Sequence, residues 1–117
     1  PAAPHSSAIP MYGLAFDRRG QLIEELSAAQ LDAVLPLLSP SPRRVRITAH
    51  EVRYDTPEQN RRQTAARLAS LRAALQARGV DVSRIDFVAA GSDWTGPVIK
   101  STIQRLLASR VELSFGT

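Results

Sequence analysis

T-P-E-Q-N-R-R-Q-T-A-A-R-L-A-S-L-R-A-A-L-Q-A-R-G, from Thr56 to Gly79, carries both ends of one helix. Thr56 offers a capping hydroxyl, Pro57 suits the first helical position, where an N–H would go unpaired anyway, and Gly79 permits a left-handed exit. Between them Leu68, Leu71 and Leu75 recur at three and four residues with Ala65 and Ala74 nearby, which leaves Arg61, Arg62, Arg72 and Arg78 for water. One face of this helix is therefore buried.

The stretches on either side supply what it packs on. Arg44 to Ala49 alternates, with Val45 and Ile47 on one side and Arg44, Arg46 and Thr48 on the other, and Ile85 to Ala90 repeats the pattern through Ile85, Phe87 and Ala89. Strand, long helix and strand make a βαβ unit, whose strands pair in parallel.

A chain of 117 residues fits one domain with a real core. With no cysteine, disulfides and thiolate chemistry are excluded. No apolar run reaches the length of a membrane span and no signal peptide is visible; Pro1 is not an initiator residue, so we expect a mature or excised piece of a longer protein. The net charge of +4 is carried by arginine, Lys100 being the only lysine, and it is spread among Asp and Glu as dispersed surface charge.

In chain order, Pro1 to Pro10 holds three prolines and reads as a disordered tail, with a single domain over 11–117. Met11 to Phe16 alternates as a short strand, and Asp17 to Gly20 makes a turn. Ser27 with Gln30 three residues on predicts a capping-box start for a helix with Leu31, Val34, Leu35 and Leu38 in one stripe, loosened in its last turn by Pro36. Gly91 to Pro97 is a loop whose Trp94 reads as a lid over the sheet edge. Val98 to Leu107, with apolar residues at Ile99, Ile103, Leu106 and Leu107, fits a short third helix, and Val111, Leu113 and Phe115 alternate in a final strand. The expected fold is an α/β (α+β) two-layer sandwich, β-α-β-α-β-short α-β, with helices on a mixed four-stranded sheet.

With the elements in that order, Ile47 to His50, then Asn60, Thr64 and Arg67, then Gly79-Val80, Arg84-Ile85 and finally Arg110-Val111-Glu112 resemble the OmpA-like peptidoglycan-binding family. Its pattern is apolar-x-G-H-T-D, then N-x-x-L-S-x-x-R-A on a helix ending in G-V, and last N-R-R-V-E. The resemblance implies a non-catalytic periplasmic domain, associated with the outer membrane through its parent protein, that holds the diaminopimelate of a peptidoglycan stem peptide. Arg67 falls at the family arginine that clamps a ligand carboxylate, Asn60 opens the helix motif, and His50 shapes the loop. The family aspartate, which meets a ligand ammonium, is replaced by Val52, so the negative charge would have to come from Glu51, Asp55 or Glu58. Strand alternation aims residue 51 away from where residue 52 points, unless the loop rearranges.

Two binding functions stay open from these residues: peptidoglycan association, or a degenerate copy of the fold used as a protein interaction module in a secretion or pilus assembly. A nucleic-acid partner is disfavoured because the strands lack paired aromatics and the positive charge is not clustered. An enzyme, a cofactor and a metal are not expected: there is no Gly-rich phosphate loop, no metal spacing, and His50 has only His5 as a fellow histidine.

Overall fold

A computed structural model describes residues 8–38, 44–52, 56–92 and 100–115. Their elements are β1 (Ile9–Pro10), α1 (Glu24–Leu38), β2 (Val45–His50), α2 (Pro57–Ala77), a short 3₁₀ turn (Val82–Arg84), β3 (Ile85–Gly91), α3 (Thr102–Ala108) and β4 (Val111–Phe115). The strands form one mixed sheet in the order β1-β4-β2-β3, with β2 parallel to β3 and β4 antiparallel to both β1 and β2. The βαβ unit and the mixed four-stranded sheet are as the sequence predicts.

Both ends of α2 match the reading of its sequence. Thr56 is the N-cap, its hydroxyl accepting from the Gln59 N–H at 3.1 Å. At the other end the Val80 N–H reaches Leu75 O and the Gly79 N–H reaches Gln76 O, with Gly79 at φ +86°. This is the paired Schellman closure, and it brings buried Val80 into the same core as Leu75. Leu68, Leu71 and Leu75 pack in that core with Leu31 and Val34 of α1 and with Val45, Ile47, Ala49, Val111 and Leu113 of the sheet.

Four expectations need correction. The first strand is Ile9–Pro10, inside the stretch read as tail, and Met11–Phe16 is an irregular segment. Its Met11 N–H still donates to Val111 O at 2.8 Å, but Leu14 turns back onto Met11, and Phe16 meets Leu22 in one isolated bridge around the expected Asp17–Gly20 turn. Alternation that short cannot outweigh the glycine at position 13. Second, α1 starts at Glu24, so Ser27 and Gln30 lie within it. Instead of capping, Ser27 Oγ accepts from the Ala15 N–H at 2.9 Å and Gln30 Oε1 accepts from the Gly13 N–H at 2.9 Å, docking the irregular segment on the helix. The helix continues through Pro36 to Leu38, although the proline brings no N–H to the last turn.

The third correction concerns α3, which is shorter than expected and is capped by Ser101, whose hydroxyl accepts from the Gln104 N–H at 3.0 Å. Ile103 and Leu107 are exposed. The fourth concerns Glu51 and is taken up with the site. Residues 1–7, Asp55, Trp94, Val98 and Ile99 lie outside the described residues.

Candidate functional site

Alternation along β2 continues past its end. Val45, Ile47 and Ala49 face the helices, and Glu51 keeps their side of the sheet, wholly buried. The expectation that position 51 would aim away from the helix arginine is therefore wrong: 51, not 52, is the position on that side. Glu51 Oε2 lies 2.6 Å from Arg67 Nη1, the two side chains being 0% and 9% exposed. Val52 is held by its backbone, its N–H donating to Ser109 Oγ at 3.1 Å.

Arg67 is placed by the buried face of α2, which runs through Asn60, Thr64, Arg67, Leu68 and Leu71. Its guanidinium carbon sits 5.7 Å from the centre of the Phe16 ring. Arg67 Nε is buried with no hydrogen-bond partner among the described residues, and so is Gln63 Nε2 one turn earlier. Asn60 is buried in the first turns of the helix, on the same side as Arg67.

His50 takes the opposite side of the sheet from Glu51. Its Nε2 is 3.3 Å from Glu112 Oε2, and Arg110 donates through Nε to Glu112 Oε1 at 2.6 Å. Arg110 also donates through Nη1 to the Tyr12 hydroxyl at 2.7 Å, and that hydroxyl donates to Leu107 O at 3.1 Å. The His50 hydrogen bond and the Arg110 guanidinium hold the Glu112 carboxyl below its usual range, against the burial that opposes them. Burial pulls the Arg110 pKa down, but the hydrogen bonds to Tyr12 and Glu112 outweigh it and the net shift is upward.

The two ion pairs flank a cleft of about 220 Å³ lined by Met11, Tyr12, Leu14, Phe16, Arg67, Ser109, Arg110 and Val111. Its cationic groups are two arginines, and its hydroxyls are those of Tyr12 and Ser109. Such a lining suits a small group bearing a carboxylate, which arginine receives with paired donors.

Of the residues singled out from sequence, Arg67 and Glu51 are brought into contact and Arg67 alone lines the cleft. His50 reaches the cleft's edge through Glu112 and Arg110, Asn60 lies up the helix, and Asp55 is outside the described residues. Sequence reasoning missed Tyr12, Phe16, Ser109 and Arg110 as lining residues. Arg110 and Glu112, two apart at the start of β4, carried two signals, their place in the last motif of the resemblance and their spacing as a same-face ion pair. Among the described residues no cluster of three or more His, Cys, Asp or Glu is arranged for a metal, and no helix is long and apolar enough to cross a membrane.

No protein-family model matches the chain, and no curated protein sequence matches it. Solved structures do. A MotB-like protein from Desulfovibrio vulgaris superposes with a TM-score of 0.65 at 16% identity, over 92% of this chain and 72% of that one. The periplasmic domain of Helicobacter pylori MotB superposes with a TM-score of 0.65 at 22% identity, over 94% of this chain and 74% of that one. What is shared at these identities is the fold, a four-stranded mixed sheet with helices of the OmpA-like kind.

Proposed function

We propose that this domain is a non-catalytic, periplasmic module of a cell-envelope protein that associates with peptidoglycan stem peptide through the cleft beside Arg67. The observation that carries the reading is Arg67, which lines the cleft together with Arg110 while buried Glu51 backs its guanidinium, so the cleft offers paired donors to a ligand carboxylate. The ligand carboxylate would meet Arg67, with Arg110 next to it in the same lining. Because Glu51 already engages Arg67 through Nη1, a ligand gains only what exceeds that pairing, so the affinity is weak. Likeness to a periplasmic domain supports the compartment. The catalytic alternative lacks support in the site: His50 Nε2 faces Glu112, and Ser109 Oγ is engaged by the Val52 N–H.

One feature favours a second reading. Glu51 has no exposed surface, and a pair closed on itself is what remains when a ligand site is retained only for its packing. The fold would then serve as a protein interaction module in an envelope assembly such as a secretion or pilus machine.

Titration of the labelled domain with a soluble diaminopimelate muropeptide, followed by amide NMR, separates the two. The comparison is a Glu51→Leu/Arg67→Met double variant, which removes both charges without burying one alone. Saturable shifts at Tyr12, Glu51, Arg67 and Arg110 that vanish in the double variant are expected. Absence of shifts at ligand concentrations of about 1 mM, near −4 kcal/mol of binding, would leave the second reading.

A further inference from the structure

The sheet ends in two unlike edges. β1, on one side, is two residues long and includes Pro10, which brings no N–H. On the other side β3 runs seven residues, Ile85–Gly91, and pairs with β2 alone, in regular register from Ile85 to Ala89. Among the described residues nothing pairs with its outer side. An open edge of this length is ordinarily blunted by lysine, proline or an unpaired charge. β3 holds neither lysine nor proline, and its one charge, Asp86, is taken by Arg44 Nη2 at 2.8 Å. Val88 is 38% exposed, and Phe87, Ala89 and Ala90 are half-buried.

Along the helix side of this edge α2 sets two arginines. Arg72 lies over the Phe87 ring at 5.9 Å, and Arg61 passes Gly91, where an added Cβ would be 3.0 Å from Arg61 Cα. Both are exposed, and among the described residues neither guanidinium donates to an acceptor; Glu58, the acid nearest Arg61 in sequence, pairs with Arg62 instead. Stacking on Phe87 uses the face of the Arg72 guanidinium and leaves its N–H groups to an acceptor. Phe87 and Gly91 are four residues apart, about 13 Å along a strand, so one face of a neighbouring strand presents side chains to both arginines.

We infer that β3 is the docking edge for an extended, acidic segment of another protein, which adds to the sheet as a further strand. Main-chain hydrogen bonds to the outer side of β3 supply the affinity, and carboxylates four residues apart on the segment's helix-side face meet Arg61 and Arg72 as charge-assisted pairs. On its opposite face the segment meets Val88, which asks for apolar side chains between the acids. A second copy of β3 is a poor occupant, because edge-to-edge pairing would set Arg61 and Arg72 against the same arginines. The edge shares no residue with the cleft lining and is separated from β4 by β2, so binding at one is readable without binding at the other.

Amide NMR titration of the intact labelled chain with the synthetic peptide Thr-Val-Asp-Val-Thr-Val-Asp-Val-Thr tests this. Saturable shifts along Phe87 to Ala90 and at Arg61 and Arg72 are expected, with slowed hydrogen exchange in β3. Methylating the peptide's alternate backbone nitrogens, one set and then the other, abolishes binding for the set that faces β3. The double reversal Arg61→Glu/Arg72→Glu, at exposed positions, weakens binding by about tenfold while leaving the circular dichroism unchanged, and the variant prefers the peptide with lysine in place of aspartate. No shift at about 1 mM peptide overturns the proposal, as do shifts that fall on Tyr12, Arg67 and Arg110 instead. Binding that survives both methylations or ignores the charge reversal overturns it equally, and so does pairing of β3 with itself in the absence of peptide.

Discussion

Glu51 and Arg67, separated by 16 positions in sequence, form a buried ion pair with Oε2 and Nη1 2.6 Å apart. Removing one partner leaves the other charged and out of water. We expect Glu51→Gln or Arg67→Met alone to cost about 3–5 kcal/mol, and the Glu51→Leu/Arg67→Met double variant to cost clearly less than their sum. Urea denaturation of the four proteins in the cycle measures the coupling, and additive single effects would show that the pair carries no interaction energy.

Glu112 titrates below its ordinary value in the folded chain because the His50 hydrogen bond and Arg110 favour the carboxylate. An acid whose pKa is depressed by folding stabilises the fold above its unfolded pKa, near 4.5, and loses that contribution as pH falls through the lower folded value. Stability should therefore fall as the pH drops below about 4.5, with a shallower slope in Glu112→Gln. Thermal unfolding at pH 7, 5, 4 and 3 checks this; an unchanged slope in the variant would assign the acid sensitivity to other carboxyls.

Two glycines with left-handed backbones should respond differently to alanine. At Gly79, φ +86°, an added Cβ meets nothing within 4 Å, so Gly79→Ala carries only the backbone penalty of about 1 kcal/mol. At Gly20, φ +82°, the added carbon would lie 2.7 Å from Ala66 Cβ and 3.1 Å from the Arg67 backbone nitrogen. Gly20→Ala should thus cost more than Gly79→Ala and move the turn off α2. Denaturation midpoints of the two variants decide the order.

Ser27 is fully buried, with Oγ accepting from the Ala15 N–H at 2.9 Å and lying 3.3 Å from Ala15 O as a donor. Ser27→Ala orphans that N–H and should destabilise by about 1–3 kcal/mol. Hydrogen exchange gives the local readout: the Ala15 amide should lose protection more than amides of β2 do.

Long elements were legible in the sequence because their signals are repeated. The helix from Pro57 to Ala77 carries its cap, proline, leucine stripe and glycine exit in 24 consecutive residues, and β2, β3 and β4 each show alternation against a polar side. The 11–16 segment misled because six residues of alternation resemble a strand whether or not a neighbour exists to pair with them. Its backbone is instead satisfied by α1 side chains, Ser27 and Gln30, which read locally as a cap. For the site, Arg67 was visible through its place in a motif, whereas Tyr12 and Arg110 are 98 positions apart and joined only by the fold.

By itself the sequence determined the long helix α2, the strands β2, β3 and β4, and that β2 and β3 run in parallel, since hydrophobic period, caps and crossover length are properties of consecutive residues. Only the tertiary structure decided which charges meet. Glu51 reaches Arg67 because β2 keeps its alternation beyond its last paired residue and lies under α2, and Arg110 reaches Tyr12 because β4 sits between β1 and β2 in the sheet. Charge pairing depends on distances of a few ångströms between elements far apart in the chain, where burial removes the screening of water and no local pattern records the partner.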